Sequence, residues 1–286
     1  MNHHVLRRAT IWMTSIGLSL LLALVPFVRS SDASDQAVAT AAPTTTTATP
    51  TPDTSMVDEA LAKATGNVSV SVADLTSGSS ATYGDSAQAF DTASIVKVDI
   101  LAALLLQAQD EGRTLTEQEK SLAASMIENS DNDAATALFE EIGGKSELDE
   151  ANKRLGLKAT EVGVNGYWGL TETTSKDQVA LLKQVFTDDS VLSGTARAYV
   201  QSLMADVEDS QRFGVAAAAD DPQTARLKVG WLQRSATGLW VVDSIGMVER
   251  SGHTYLVAVL SDGNTSYDGG VALVDAVALA AVDATI

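Results

Sequence analysis

The sequence predicts an α/β (α+β) domain in which strands from the two ends of the chain join in one antiparallel sheet, flanked by helices, with a helical subdomain between them. Three observations carry this. Apolar and small polar residues alternate in "NVSVSVADL" and return in "SATYGD" after the turn signal "TSGS", the period-two signature of a β-hairpin. From Ser94 to about Val207 the apolar spacing is helical instead. Strand signals come back in "ARLKVGWL", "GLWVVDSIGMVE" and "TYLVAVLSD", and a final apolar helix follows in "GGVALVDAVALAAVD". Strands at both ends of a helical middle must pair to bury their apolar faces. That closure would bring the residues around Lys228 against the start of the helix that follows Ser94.

Ahead of the domain, "MNHHVLRRATIWMTSIGLSLLLALVPFV" has a basic start at Arg7 and Arg8, no acid before Asp32 and an apolar run from Ala9 to Val28. This is the pattern of an export signal, at residues 1–29. The run approaches the roughly 20 residues that span a bilayer, and small-residue cleavage candidates lie only further on, around Ala39, so a retained anchor and a cleaved signal both fit. Arginines on its N-terminal side favour export of everything after Arg29. Residues 30–55, "SSDASDQAVATAAPTTTTATPTPDTS", are almost entirely Ala, Thr, Ser, Pro and Asp. They cannot bury enough apolar surface to offset the entropy of ordering, and they are expected to form a disordered tether. Residues 56–286 are then expected to form one domain.

Composition narrows the chemistry. The chain has no cysteine, which excludes disulfides, thiolate nucleophiles and cysteine-bound metals. Of three histidines, His3 and His4 lie at the N-terminus, so only His253 is available to the domain, and a histidine-rich metal site is excluded. His253, in "RSGHTY" between two strand patterns, reads as a hairpin residue. No metal or other cofactor is expected. The formal charge of −18 falls entirely after residue 55 and argues against nucleic-acid and anionic-membrane partners, leaving membrane contact to the N-terminal segment.

The helical segments are "SIVKVDILAALLLQAQ", "TEQEKSLAASMIEN", "NDAATALFEEIG", "SELDEANKRL", "SKDQVALLKQVF" and "LSGTARAYVQSLMADV", with the loop "KATEVGVNGYWGLTETT" between the fourth and fifth. The first of these is apolar nearly all round, the mark of a buried central helix, yet it carries Lys97 three residues after Ser94. Side chains at that spacing share a helix face, so a hydroxyl and an amine can meet. An amine in an apolar setting, or beside another cation, is pushed toward its neutral form and can accept the serine proton. The alternative is that Ser94 is a helix N-cap and Lys97 snorkels to solvent.

Two further motifs occur in order, "SDN" at Ser130 to Asn132 and "KVG" at Lys228 to Gly230 followed by Trp231. With "SIVK" they make the sequence resemble the penicillin-recognising serine hydrolases, specifically the class A β-lactamase-related branch, over about residues 56–286. The resemblance implies a β-lactamase/transpeptidase-like fold, with Ser94 as the acylated nucleophile and Lys97 as its base or proton relay. It implies that Ser130 passes a proton to the leaving nitrogen and that Asn132 donates to a substrate amide. Asp131 would hold its own loop, and Lys228 would supply a positive field near Ser130 and the substrate carboxylate. The N–H groups of Ser94 and Trp231 would form the oxyanion hole, and Asn132, Lys228, Gly230 and Trp231 would bind the substrate. The alternative for "KVG" is a plain strand with a surface lysine and a glycine at a close approach. The implied substrate is a small amide, lactam or ester, or cell-wall peptide.

Three departures from the family pattern stand out. Val229 replaces the hydroxyl that grips a substrate carboxylate. The loop from Glu161 to Asp177 has no acid where the family places the one that activates deacylating water; Glu172 matches a structural position, and Glu161 is a possible substitute. The segment between Lys97 and Ser130 is shorter than in class A enzymes, which predicts a more open cleft. Trp168 and Trp231 are candidates to line it, buried packing being the alternative. The rival readings are a non-catalytic module that binds cell-wall peptide or a partner protein, and a D-amino-acid carboxypeptidase or transpeptidase.

Overall fold

A computed structural model describes residues 53–285. The expected signal or anchor and all of the tether before Asp53 lie outside these residues. Among the described residues no helix is long and apolar enough to cross a membrane.

The first element, helix α1 (Ser55–Leu61), takes in the end of the segment expected to be tether and was not foreseen. Strands β1 (Val68–Asp74) and β2 (Ser80–Gly84) form the expected hairpin. Strands β5 (Arg226–Gln233), β6 (Trp240–Arg250) and β7 (His253–Asn264) are long, and their order with the hairpin is β2-β1-β7-β6-β5, antiparallel throughout. The two ends of the chain therefore close on each other through β1 and β7. Pairing places Val70 opposite Val259 and Val72 opposite Val257, all four wholly or nearly wholly buried. β5 is left as an edge strand with one row of backbone groups free of the ladder.

The middle supplies α2 (Val96–Asp110), α3 (Glu117–Glu128), α4 (Asn132–Glu141), α5 (Gly144–Arg154), α6 (Ser175–Phe186) and α7 (Gly194–Ala205); α8 (Tyr267–Asp283) closes the chain. α2 is the central helix. It buries Ile100, Leu101, Leu104 and Leu106 almost completely and is packed by α3, α4, α5 and α7, as its all-round apolar pattern requires. Helix starts follow their caps: Thr116 and Glu119 form a capping box on α3, and Asp131, Thr174, Ser193 and Ser266 cap α4, α6, α7 and α8.

A second, two-stranded sheet was not foreseen either. β3 (Phe90–Asp91) pairs with β4 (Glu172–Thr173), and the Thr92 N–H donates to the Thr171 carbonyl at 2.8 Å. This ties the long loop to the chain just ahead of Ser94.

His253 opens β7 at the hairpin after β6, as expected of a hairpin residue, and its Nδ1 lies 2.7 Å from Asp74 Oδ2. Burial pushes the Asp74 carboxyl up, but bonds from Ser77, His253 and the Thr76 and Ser77 N–H groups outweigh it and hold the pKa at about 2. The carboxylate thus contributes stability above its unfolded pKa of 3.8 that is lost as pH falls through about 2. Asp74→Asn should lower stability at pH 6 by about 2 kcal/mol. Urea titrations should show that deficit shrinking toward pH 2.

Candidate active site

Ser94 sits in a single 3₁₀ turn (Ala93–Ile95) immediately before α2, which begins at Val96, so it precedes the α-helix rather than opening it. Its side chain makes no cap bond, which removes the N-cap alternative. The preceding Ala93 is buried with φ 45°, a left-handed conformation that a non-glycine residue adopts only under constraint. Strand β5 lies against this turn. A Cβ built on Gly230 would fall 2.7 Å from Ser94 N, 2.7 Å from Thr92 O and 2.9 Å from Ile95 N, so the edge strand lies directly on the turn. Asp91 and Arg234 add an ion pair between the same two segments at 2.5 Å.

Lys97 is fully buried, as the apolar helix implies, and it does not snorkel. Its Nζ donates to the Ser130 carbonyl at 2.6 Å, to Asn132 Oδ1 at 2.8 Å and to Ser130 Oγ at 3.1 Å. The expected meeting of Lys97 with Ser94 is not made as a hydrogen bond among the described residues. The amine is drawn across α2 to the α3–α4 junction, where Ser130 adopts a left-handed φ of 57° that turns both its carbonyl and its hydroxyl toward Lys97. Asp131 is the N-cap of α4, its Oδ1 accepting from Ala134 N at 2.7 Å, the loop-holding role expected of it. Asn132 gives its oxygen to Lys97, which leaves its NH₂ free to donate.

Lys228 comes from β5 and is also fully buried. Its Nζ donates to Ser130 Oγ at 3.0 Å, to the Val229 carbonyl at 3.1 Å and to Gln211 Oε1 at 3.2 Å. Two amines from distant parts of the chain thus converge on one hydroxyl. Accepting from both occupies the lone pairs of Ser130 Oγ and leaves its own hydrogen to donate elsewhere. Burial lowers the Lys97 pKa to about 8, against a raising effect from Asp131. For Lys228 burial, and then the charge of Lys97, push the pKa well below that of a free lysine, with Glu208 opposing.

Trp168 lies beside this cluster. The Lys97 ammonium is 5.1 Å from its ring centroid, and the indole N–H donates to Thr136 Oγ1 at 3.1 Å. Trp231 is 36% exposed, so it is presented to solvent rather than buried, and it packs on Phe213 and Tyr267. Gln211, nearly fully buried in the loop after α7, was missed by sequence reasoning: a single polar residue in "DSQRF" has no period or motif to mark it.

Glu161 and Glu172 pair through their backbones, each N–H donating to the other's carbonyl at 2.9 Å, and both side chains are exposed. Neither carboxylate bonds to Ser94, Lys97 or Ser130 among the described residues. Val229 is fully buried in the apolar core. Asp99, the other charge-bearing residue at the start of α2, is no partner for Lys97. Its wholly buried carboxyl is pushed far up in pKa by burial and then by Asp177. A cavity of about 460 Å³ between α2, α3 and α7, lined by Leu105, Leu115 and Tyr199 among others, contains none of the motif residues.

The fold and the three motifs together define the class as a penicillin-recognising, β-lactamase-like serine hydrolase. An extended-spectrum β-lactamase, TLA-1, superposes with a TM-score of 0.73 at 16% identity, covering 82% of this chain and 99% of that one. A β-lactamase from Chitinophaga pinensis DSM 2588 gives 0.66 at 19% identity, covering 79% and 97%. PBP-A gives 0.67 at 20% identity, covering 79% and 93%. The model of the "Beta-lactamase enzyme family" matches residues 54–121 and 118–285, and the chain belongs to that family. A curated relative in Mycobacterium tuberculosis strain H37Rv, named "Putative lipoprotein LppW", is 30% identical over 190 residues, 61% of this chain. The chain spans 57% of that relative's length.

Proposed function

We propose that the chain is an exported serine hydrolase that forms an acyl-enzyme at Ser94 with an amide, lactam or ester. The observation that carries this reading is the convergence of Lys97 and Lys228 on Ser130 Oγ, beside a strained turn that holds Ser94 uncapped against an edge strand. Ser94 Oγ attacks the carbonyl carbon, its proton passing to the Lys97 amine. The Ser130 hydroxyl, fed by both lysines, protonates the leaving heteroatom as the bond to it breaks. The N–H groups of Ser94, on the turn, and Trp231, on the edge strand, stabilise the developing oxyanion. Asn132 positions the substrate through its free NH₂.

Release of the acyl group is the weaker half. With Glu161 and Glu172 directed to solvent, neither is placed to activate deacylating water, and the acyl-enzyme is long-lived. One related structure, of a PBP-A point mutant, is titled as an acyl-enzyme complex with penicillin G, which supports acylation as the step common to this fold. The N-terminal pattern and the lipoprotein name of the relative support a cell-envelope location, with residues 1–29 as signal or anchor, 30–55 as linker and 56–286 as the hydrolase domain.

Incubating the exported part with a fluorescent penicillin and a panel of esters, then weighing the intact protein, tests this. A mass increase equal to the acyl group is expected in wild type and none in Ser94→Ala. An unmodified wild-type protein with no turnover of any donor would sink the proposal.

A further inference from the structure

We propose that the cleft is built for acyl donors without a free carboxylate: neutral or cationic amides or esters that lay an apolar or aromatic group on Trp231. The inference deepens the reading of Ser94 as nucleophile and rests on it.

An incoming carboxylate needs donors or a cation not already in use. The free donors here, the Asn132 NH₂ and the Ser130 hydroxyl hydrogen, are assigned to the substrate amide and the leaving heteroatom, and both lysines are fully bonded. An ammonium has three hydrogens. Lys97 meets three acceptors, Ser130 O, Ser130 Oγ and Asn132 Oδ1. Lys228 also meets three, Ser130 Oγ, Gln211 Oε1 and Val229 O. Both are fully buried, so an anion could pair with either only by displacing a bond already made. Arg212, on the Lys228 side, gives its two terminal nitrogens to the Ala225 and Ala205 carbonyls. Along β5 the residue after Lys228 is the fully buried Val229, and across the ladder its partner Ser244 is committed, accepting from Val215 N and donating to Phe213 O.

The charges that face the amines have the wrong sign for an anionic ligand. Asp131 acts on Lys97 and Glu208 on Lys228, on a domain with far more acidic than basic side chains. An approaching carboxylate would meet these acidic groups, and it could pair with a lysine only at the cost of a bond that lysine already makes.

Beside the catalytic turn the surface is apolar instead. Trp231 follows the glycine that touches Ser94 N, and its half-open ring is backed by Phe213 and Tyr267 at centroid distances of 6.2 and 5.6 Å. Trp240 supports Tyr267 at 5.7 Å. Such a cluster presents a rigid face at little entropic cost, and it rewards an apolar acyl group.

The step balances as Ser94 Oγ–H plus R–CO–X–R′ giving Ser94 Oγ–CO–R plus H–X–R′. The probes are two thioesters of one N-acylated glycine that differ only in the leaving thiol, thioglycolic acid or its methyl ester, each made with a phenylacetyl or an acetyl group. Acylation of the exported part is followed by intact mass. Wild type should react at least tenfold faster with the methyl ester than with the acid. Trp231→Ala should slow the phenylacetyl donor more than the acetyl one. Equal or faster reaction of the acid in wild type would overturn the inference while leaving Ser94 as nucleophile. No Ser94-dependent adduct with any of the four donors would overturn both.

Discussion

Replacing Lys97 with methionine should lower the rate of Ser94 acylation by ~10³-fold while the domain stays folded, because a positioned base or proton relay contributes roughly 10²–10⁴-fold. Methionine nearly preserves the length and apolar stem of the lysine, so α2 keeps its packing, and far-UV circular dichroism would check that. What is lost is the only amine on the face of α2 next to Ser94. The pH profile separates a base from a structural amine. Burial places the Lys97 pKa at about 8, so below that pH most of the amine is protonated and cannot take the serine proton. Acylation by wild type should therefore rise with pH through about 8 and then level. Lys228 lies on the same hydroxyl with its own pKa pushed far down by burial, so the titration belongs to the pair, and the inflection is an apparent value. In Lys97→Met the residual rate should lose the inflection. A rate that tracks the ionisation of free lysine instead would exclude the assignment.

The same site shows what was legible in the sequence. Ser94 with Lys97, Ser130 with Asn132, and Lys228 with Gly230 are local patterns, each confined to three or four consecutive residues, and the sheet that assembles them follows from period-two strands at both ends of the chain. Membership in the family was thereby readable from three short motifs. The contacts themselves were not. Spacing on α2 pairs Lys97 with Ser94, but the amine bonds residues 33 and 35 positions away, because the left-handed Ser130 presents two acceptors that a buried ammonium must satisfy. Nor does an alanine at position 93 announce a positive φ, as a glycine would have. Helix α1 has seven residues, two of them buried, too short to show a helical period. The β3–β4 pair has two residues on each side and no alternation to read.

Gly230→Ala should be strongly damaging to acylation although it alters no reacting group. At Gly230 a Cβ would stand 2.7 Å from both Ser94 N and Thr92 O, and the three nearest atoms are all backbone, which has no rotamer by which to yield. Either β5 leaves the turn or the turn moves. Overpacking of this kind costs about 1–3 kcal/mol, measurable as a lower urea midpoint with an unchanged slope. The larger effect should fall on acylation. The N–H groups proposed as the oxyanion hole lie on opposite sides of this contact, one on the turn and one at the next residue of the strand, and a displacement near 1 Å is enough to cost on the order of 10²-fold. Gly194→Ala is the control. It adds the same methyl at the start of α7, where the nearest atom beyond the helix backbone is the flexible end of the Arg197 side chain at 3.9 Å, and it should leave stability within about 0.5 kcal/mol and acylation within about twofold of wild type. If Gly230→Ala instead acylated at the wild-type rate while losing stability, the turn would tolerate displacement of the strand. The oxyanion hole could then not be shared between Ser94 and Trp231.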